Sequence, residues 1–133
     1  NQIIQALAEI LNKNYKNHWI RMAVLSSNAG SSIALLNHLD NQTSFFESWD
    51  GEKQKFLQDF TYITAARNNE SDVLALVSEL DRVPTENQEG IWKSFAGGVK
   101  RGEASLTDKV KAEITKVTDS SADAVKEALG EVL

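Results

Sequence analysis

The chain has 133 residues, one proline, no cysteine and a formal charge of −5. That length buries a core without staples, and the missing cysteine excludes a disulfide framework, a thiolate zinc site, a cysteine nucleophile and c-type haem attachment. Charges of both signs are mixed along an acidic chain, which argues against a nucleic-acid partner, and no apolar run approaches the roughly 20 residues of a membrane span.

Apolar residues recur at intervals of three and four along nearly the whole sequence, which predicts an all-α fold of eight helices. The first uses Ile3, Ile4, Leu7, Ala8 and Leu11. A second is expected from about His18 to Asn28, burying Trp19, Ile20, Ala23 and Val24, with Gly30 as its stop. Ser31 or Ser32 caps a third through Ile33, Leu36 and Leu39, and a loop is expected from Asp40 to Ser48. The fourth, from about Trp49 to Arg67, carries Trp49, Phe56, Leu57, Phe60, Ile63 and Thr64 along one stripe, and Asn68 and Asn69 end it.

Ser71 is the expected cap of a fifth helix with Val73, Leu76, Val77 and Leu80, stopped before Pro84. The sixth runs from about Glu86 to Lys100 through Ile91, Trp92, Phe95 and Val99, closed by Gly102. Thr107 caps the seventh, with Val110, Ile114 and Val117 inward; Ser120 or Ser121 caps the eighth, with Val125, Ala128, Leu129 and Val132 inward.

The second, fourth, sixth and eighth helices start near 17, 49, 86 and 121, at intervals of 32, 37 and 35. Such a period belongs to helical hairpins that cover their apolar faces by stacking. The expectation is one repeat domain over residues 1–133, a right-handed α-α superhelix of about four hairpins, with a compact helical bundle as the alternative. On this phasing the first and last helices lack hairpin partners, so the chain reads as cut from a larger protein. Ile3, Ile4, Leu7, Ile10 and Leu11 at one end and Val125, Leu129, Val132 and Leu133 at the other are not polar caps. Self-association through the terminal helices is expected from them.

No chemical constellation emerges. His18 and His38 stand 20 residues apart without a ligand at i+4. Asp40, Gln42, Ser44 and Glu47 resemble a calcium loop but lack the sixth-position glycine, and Gly51 takes the place of the twelfth-position acid. Gly97 and Gly98 follow an apolar helix stripe, not a strand, so close helix packing explains them better than phosphate binding. Ser26, Ser27, Ser31 and Ser32 have no base in register. No catalytic residue, cofactor or metal is assigned. Trp19, Trp49 and Trp92 each fall in the first helix of a hairpin, which suggests a repeated core position, with a partner-binding platform as the alternative. Asn17 and Arg21, four apart, read as a polar pairing with the next repeat or as a partner contact.

The segment Asn17-His18-Trp19-Ile20-Arg21-Met22-Ala23-Val24-Leu25-Ser26-Ser27 resembles the D-x-x-[VI]-R-x-A hairpin start of HEAT repeats. In its W-I-R-x-A-V-L-S-S form it is similar to the helical middle region of large bacterial membrane-bound dehydrogenase and haem-binding proteins of the PVC type. Residues 63–69 resemble that region's I-G-A-R-x-D element, and residues 91–102 its L-x-G-L-A-x-G-L-x-R-x-G element. Asn17 stands where the repeat prefers Asp, and Thr64 and Asn69 replace a Gly and an Asp. The redox parts of that family, a propeller and a C-x-x-C-H segment, have no counterpart in these residues. The resemblance implies a non-catalytic interaction or scaffold module in an exported, redox-associated parent of the periplasm or cell envelope. Its partners would be other domains of that parent or another protein; the alternative is a small-ligand-binding or catalytic helical domain.

Overall fold

The computed structural model describes residues 2–27, 30–102, 105–118, 123–130, 132 and 133, and among these it is all-helical. The helices are α1 (Gln2–Asn14), α2 (His18–Ser26), α3 (Ile33–Gln42), α4 (Gly51–Arg67), α5 (Glu70–Leu80), α6 (Gln88–Gly102), α7 (Asp108–Thr118) and α8 (Asp123–Gly130). Two short 3₁₀ turns, Phe45–Glu47 and Thr85–Asn87, precede α4 and α6. None of these helices is long and apolar enough to cross a membrane.

Local capping explains most boundaries. Asn17 Oδ1 accepts from the Trp19 and Ile20 amides at 2.9 and 3.2 Å, which starts α2. Ser32 caps α3 through the Leu35 amide, and Thr107 caps α7 through the Val110 amide. Asn68 adopts φ 51°, the left-handed conformation that short polar side chains tolerate, and α4 stops there. The amide next along then starts the following helix: Asn69, rather than Ser71, caps α5 by accepting from the Asp72 amide at 3.1 Å. Position decides this, because Ser71 already lies inside the first turn.

Other expectations shift by a few residues. The stretch 40–48 is partly helical, since α3 runs to Gln42 and a 3₁₀ turn covers Phe45–Glu47. Trp49 lies before α4, and Glu86 lies in the 3₁₀ turn before α6. Gly30 does not stop α2 by a left-handed turn. The helix ends at Ser26 on a Ser27 cap, and a Cβ at Gly30 would stand 1.8 Å from the Val24 carbonyl oxygen, so the glycine allows a close backbone approach. Asn28 and the serines expected to cap α8 lie outside the described residues.

The chain divides into two compact units, residues 1–60 and 61–133. In the first, α1 packs on α2 and on α3, and α3 on the turn Phe45–Glu47. Ile4, Ala8 and Leu11 are buried, as are Leu35, Leu36, Leu39, Phe45, Phe56, Leu57 and Phe60. Ile3 and Ile10, on the flank of the same α1 stripe, stay 62% and 46% exposed. In the second unit, α5 packs on α7 and α6 on α8. Val73, Leu76, Val77, Ile91, Trp92, Phe95, Val110, Ile114, Val125 and Leu129 are buried.

The second unit also shows why α6 tolerates glycine. A Cβ on Gly98 would stand 2.4 Å from the Tyr62 carbonyl oxygen and 2.8 Å from Ala65 Cβ; one on Gly102 would stand 2.4 Å from the Ala66 carbonyl oxygen. Four residues apart on one helix face, the two glycines let α6 lie directly on the last turns of α4. Close packing is therefore their role, at a helix-propensity cost of about 1 kcal/mol each.

Candidate functional site

The three tryptophans do not share an environment. Trp92 is 2% exposed and meets Phe95 edge-on, with ring centroids 5.5 Å apart. Trp49 is half-buried, stacks on Phe46 and donates Nε1–H to Gln54 Oε1 at 3.0 Å. Trp19 is 78% exposed, touched at its edge by His18. A common packing position is thus ruled out, and the expected burial of Trp19 is corrected. The reason is rotational: the buried residues of α2 are Arg21, Val24 and Leu25, which places Trp19, about 200° behind Arg21 at 100° per residue, on the opposite face. Ala23, also expected inside, is exposed.

Arg21 takes the inward position because its charge is answered there. Its Nη1 donates to the Tyr15 carbonyl at 2.9 Å and to Glu52 Oε2 at 2.8 Å, with the arginine side chain 4% and the glutamate 36% exposed. This joins α2 to the first turn of α4, so Arg21 makes a polar pairing between two helices. Asn17, which is exposed, caps α2.

The densest group of ionisable side chains was not marked in the sequence. Asp50 Oδ1 caps α4 through the Glu52 and Lys53 amides at 3.0 and 2.9 Å, and its Oδ2 accepts from the Tyr15 hydroxyl at 2.7 Å. Lys53, 3% exposed, donates to the Phe45 carbonyl at 2.6 Å and to the Ser48 carbonyl and hydroxyl at 3.0 and 3.2 Å. The Tyr15 and Phe45 rings lie about its ammonium, at 4.9 and 5.0 Å. Every ammonium proton has an acceptor.

The electrostatics follow from these contacts. Burial pushes the Lys53 ammonium below its ordinary pKa, although Asp50 and Glu47 oppose this. The hydrogen bond to Asp50, then burial and the Asp50 charge, raise the Tyr15 phenol. Burial would raise Asp50, but donations from the Lys53 amide, Tyr15 and the Glu52 amide outweigh it and hold the carboxyl low. A lysine whose protons are all committed and a carboxylate saturated by donors are poor acids and bases. The group ties residues 45–50 to α4. Two signals pointed to it: Asp50 stands at an N-cap position, and Lys53 falls on the stripe of Phe56, Leu57 and Phe60.

Elsewhere the chemistry is sparser. Among the described residues no group of three or more His, Cys, Asp or Glu could hold a metal ion. His18 is exposed at the start of α2, and His38 is half-buried on α3. In the second unit an open groove of about 420 Å³ runs between α6 and α8 over Ala96, Gly97 and Ala128. Its Lys93 pairs with Glu89 at 3.3 Å, both well exposed. These are solvated charges beside small residues, without a convergent set. No protein-family model, curated protein or solved structure matches the chain.

Proposed function

We propose that the chain is a non-catalytic module that holds or binds other proteins, built from helical hairpins stacked in the HEAT manner within each unit. The observation that carries this reading is the use made of its charges. Arg21 and Lys53, which are buried, and the half-buried Asp50 all bond backbone atoms, cap a helix or pair across helices. None is left facing a cavity as a reagent would be. The largest apolar side chain left in water is Trp19, a residue type that anchors partners.

Three observations support hairpin stacking. α1 lies on α3, α5 on α7 and α6 on α8, helices two apart in sequence, as in hairpins laid side by side. α2, α4, α6 and α8 begin at residues 18, 51, 88 and 123, which keeps the sequence period. Arg21, the residue that matches the arginine of the HEAT hairpin start, bridges two such helices. We extend the proposal to a scaffold segment of a larger, exported, redox-associated protein, as the motif resemblance over residues 17–102 implies.

The test is site-specific photo-crosslinking in the full protein, with benzoylphenylalanine at Trp19 and, separately, at Lys93 in the α6–α8 groove. The interaction reading expects a discrete protein adduct at one surface and background at the other. Background at both positions, with turnover of a small substrate abolished by Lys53→Met, would move the assignment to the enzyme class.

A further inference from the structure

α2 is turned inside out with respect to charge. Its one constitutively charged residue, Arg21, is buried, while the opposite face presents Trp19, Met22, Ala23 and Ser26 at i, i+3, i+4 and i+7. Trp19 is 78% exposed, Ala23 and Ser26 are exposed and Met22 is half-buried. The Ser26 hydroxyl is turned back onto the Met22 carbonyl at 2.7 Å, which removes its donor from the surface. A helix facing only water would place its charge outward. Two turns of apolar helix surface with no charge are what a helix-in-groove or helix-on-helix contact uses.

Charge around this face is equally lopsided. Although the chain carries −5 overall, residues 10–39 contain no Asp or Glu, and their Lys13, Lys16 and Arg21 make the stretch +3. Arg21 is answered inside by Glu52. What remains for a partner is Lys13 at the end of α1 and Lys16 in the turn into α2, both exposed, with His18 beside the indole. Two acids stand near this group: Asp59 of α4, which feels Arg21 and His18, and Glu9, one turn before Lys13 on α1. Burial raises the Asp59 carboxyl, and Arg21 and His18 offset part of that.

Resting on the interaction-module reading, we propose that the outer face of α2 is a docking surface for an acidic amphipathic helix of a partner protein. The partner's apolar side chains cover Trp19 and Met22, and its carboxylates meet Lys13 and Lys16. Trp19 is the anchor: a wide, rigid ring on a backbone fixed by the Asn17 cap, which accepts from the Trp19 amide. The lysines supply orientation and encounter rate, and their contribution falls as salt screens it.

The chain has one methionine, so a methyl-labelled sample reports this face through a single Met22 resonance. The probe is a synthetic helix with leucine at i, i+3, i+4 and i+7 and glutamate elsewhere. The controls are the same helix with lysine for glutamate and vesicles of phosphatidylglycerol or phosphatidylcholine. The expected result is a saturable Met22 shift with the leucine–glutamate helix, weakened by salt and absent with the lysine helix. Trp19→Ala should lower the affinity about tenfold or more with unchanged melting, and Lys16→Glu by a few-fold. Equal binding of the two helices, a shift produced by phosphatidylglycerol vesicles alone, or full affinity in Trp19→Ala overturns the proposal. If the leucine–glutamate helix fails while crosslinking at Trp19 still yields a protein adduct, the partner chemistry is wrong and the module stands. If both fail, the module reading falls with it.

Discussion

The two units bring helices together by opposite means. In the first, α2 and α4 are joined by a buried arginine on a half-exposed glutamate, and the approach to α4 is fixed by Lys53, Asp50 and Tyr15. In the second, α6 reaches the end of α4 through absence: Gly98 and Gly102 leave room for carbonyl groups where any Cβ would collide. Ionic bonds orient, but they carry a desolvation cost that each partner must offset. Glycine contacts carry no such cost; they lower helix propensity and tolerate no added atom. The first unit should therefore be sensitive to loss of a partner and to pH, the second to gain of volume.

The largest expected effect tests the second half of that contrast. Gly98→Leu must displace Tyr62 and Ala65 backbone and side chain together, and should destabilise by about 3 kcal/mol or more, the upper end of overpacking. Chemical denaturation followed by Trp92 fluorescence, which reports the second unit, measures it. A loss under about 1 kcal/mol would mean that α6 and α4 are not in direct backbone contact.

Next comes Lys53→Met. It removes three donated hydrogen bonds and strands the Phe45 and Ser48 carbonyls, with relief of the ammonium's desolvation as partial offset, so about 2 to 3 kcal/mol is expected. Trp49 fluorescence in the first unit should track it. A variant as stable as the parent would show residues 45–50 to be held by the Phe45 ring alone.

The Arg21–Glu52 pair should be asymmetric. Glu52→Ala strands an enclosed guanidinium whose Nε already lacks a partner and should cost about 2 kcal/mol. Arg21→Met leaves a glutamate that water can reach and should cost about 1 kcal/mol. Equal losses from the two, read from paired melts, would place Arg21 in water rather than between the helices.

The acids differ in sign. Asp50 is held below its ordinary 3.8 in the fold, so its contribution is complete above that pH and is lost as pH falls through the lower folded value. The acid-side loss should shrink in Asp50→Asn, which can still cap α4. Asp59 is raised by burial, so its contribution is complete below its ordinary value and is lost as pH rises through the folded one. Because Asp59 is exposed and its charge screened, Asp59→Asn should gain only a little stability at neutral pH and nothing at low pH. Stability curves for the two variants that run parallel to the parent from pH 2 to 7 would remove both assignments. The smallest effect belongs to Trp19→Ala, within about 0.5 kcal/mol of the parent, because the indole stands in water. A loss of several kcal/mol would return Trp19 to a core.

The sequence alone determined that the protein is helical, where most helices begin and end, and many of the aliphatic residues that are inside, though not Ile3, Ile10 and Ala23, which are exposed. Those features depend on three- and four-residue spacing and on local caps such as Asn17, Ser32 and Thr107, which act within one turn. Pattern failed on α2, where Trp19 was assigned to the core and the polar pairing expected of Arg21 gave no sign that the arginine would be buried. Hydrophobicity ranks tryptophan inside and arginine outside, and no local rule knows that a glutamate 31 residues later waits at 2.8 Å. The same holds for Lys53, legible as a position on the α4 stripe but not as a buried cation until the Phe45 and Ser48 carbonyls are folded over it. A buried charge is decided by partners distant in the chain, and only the tertiary structure brings those partners together.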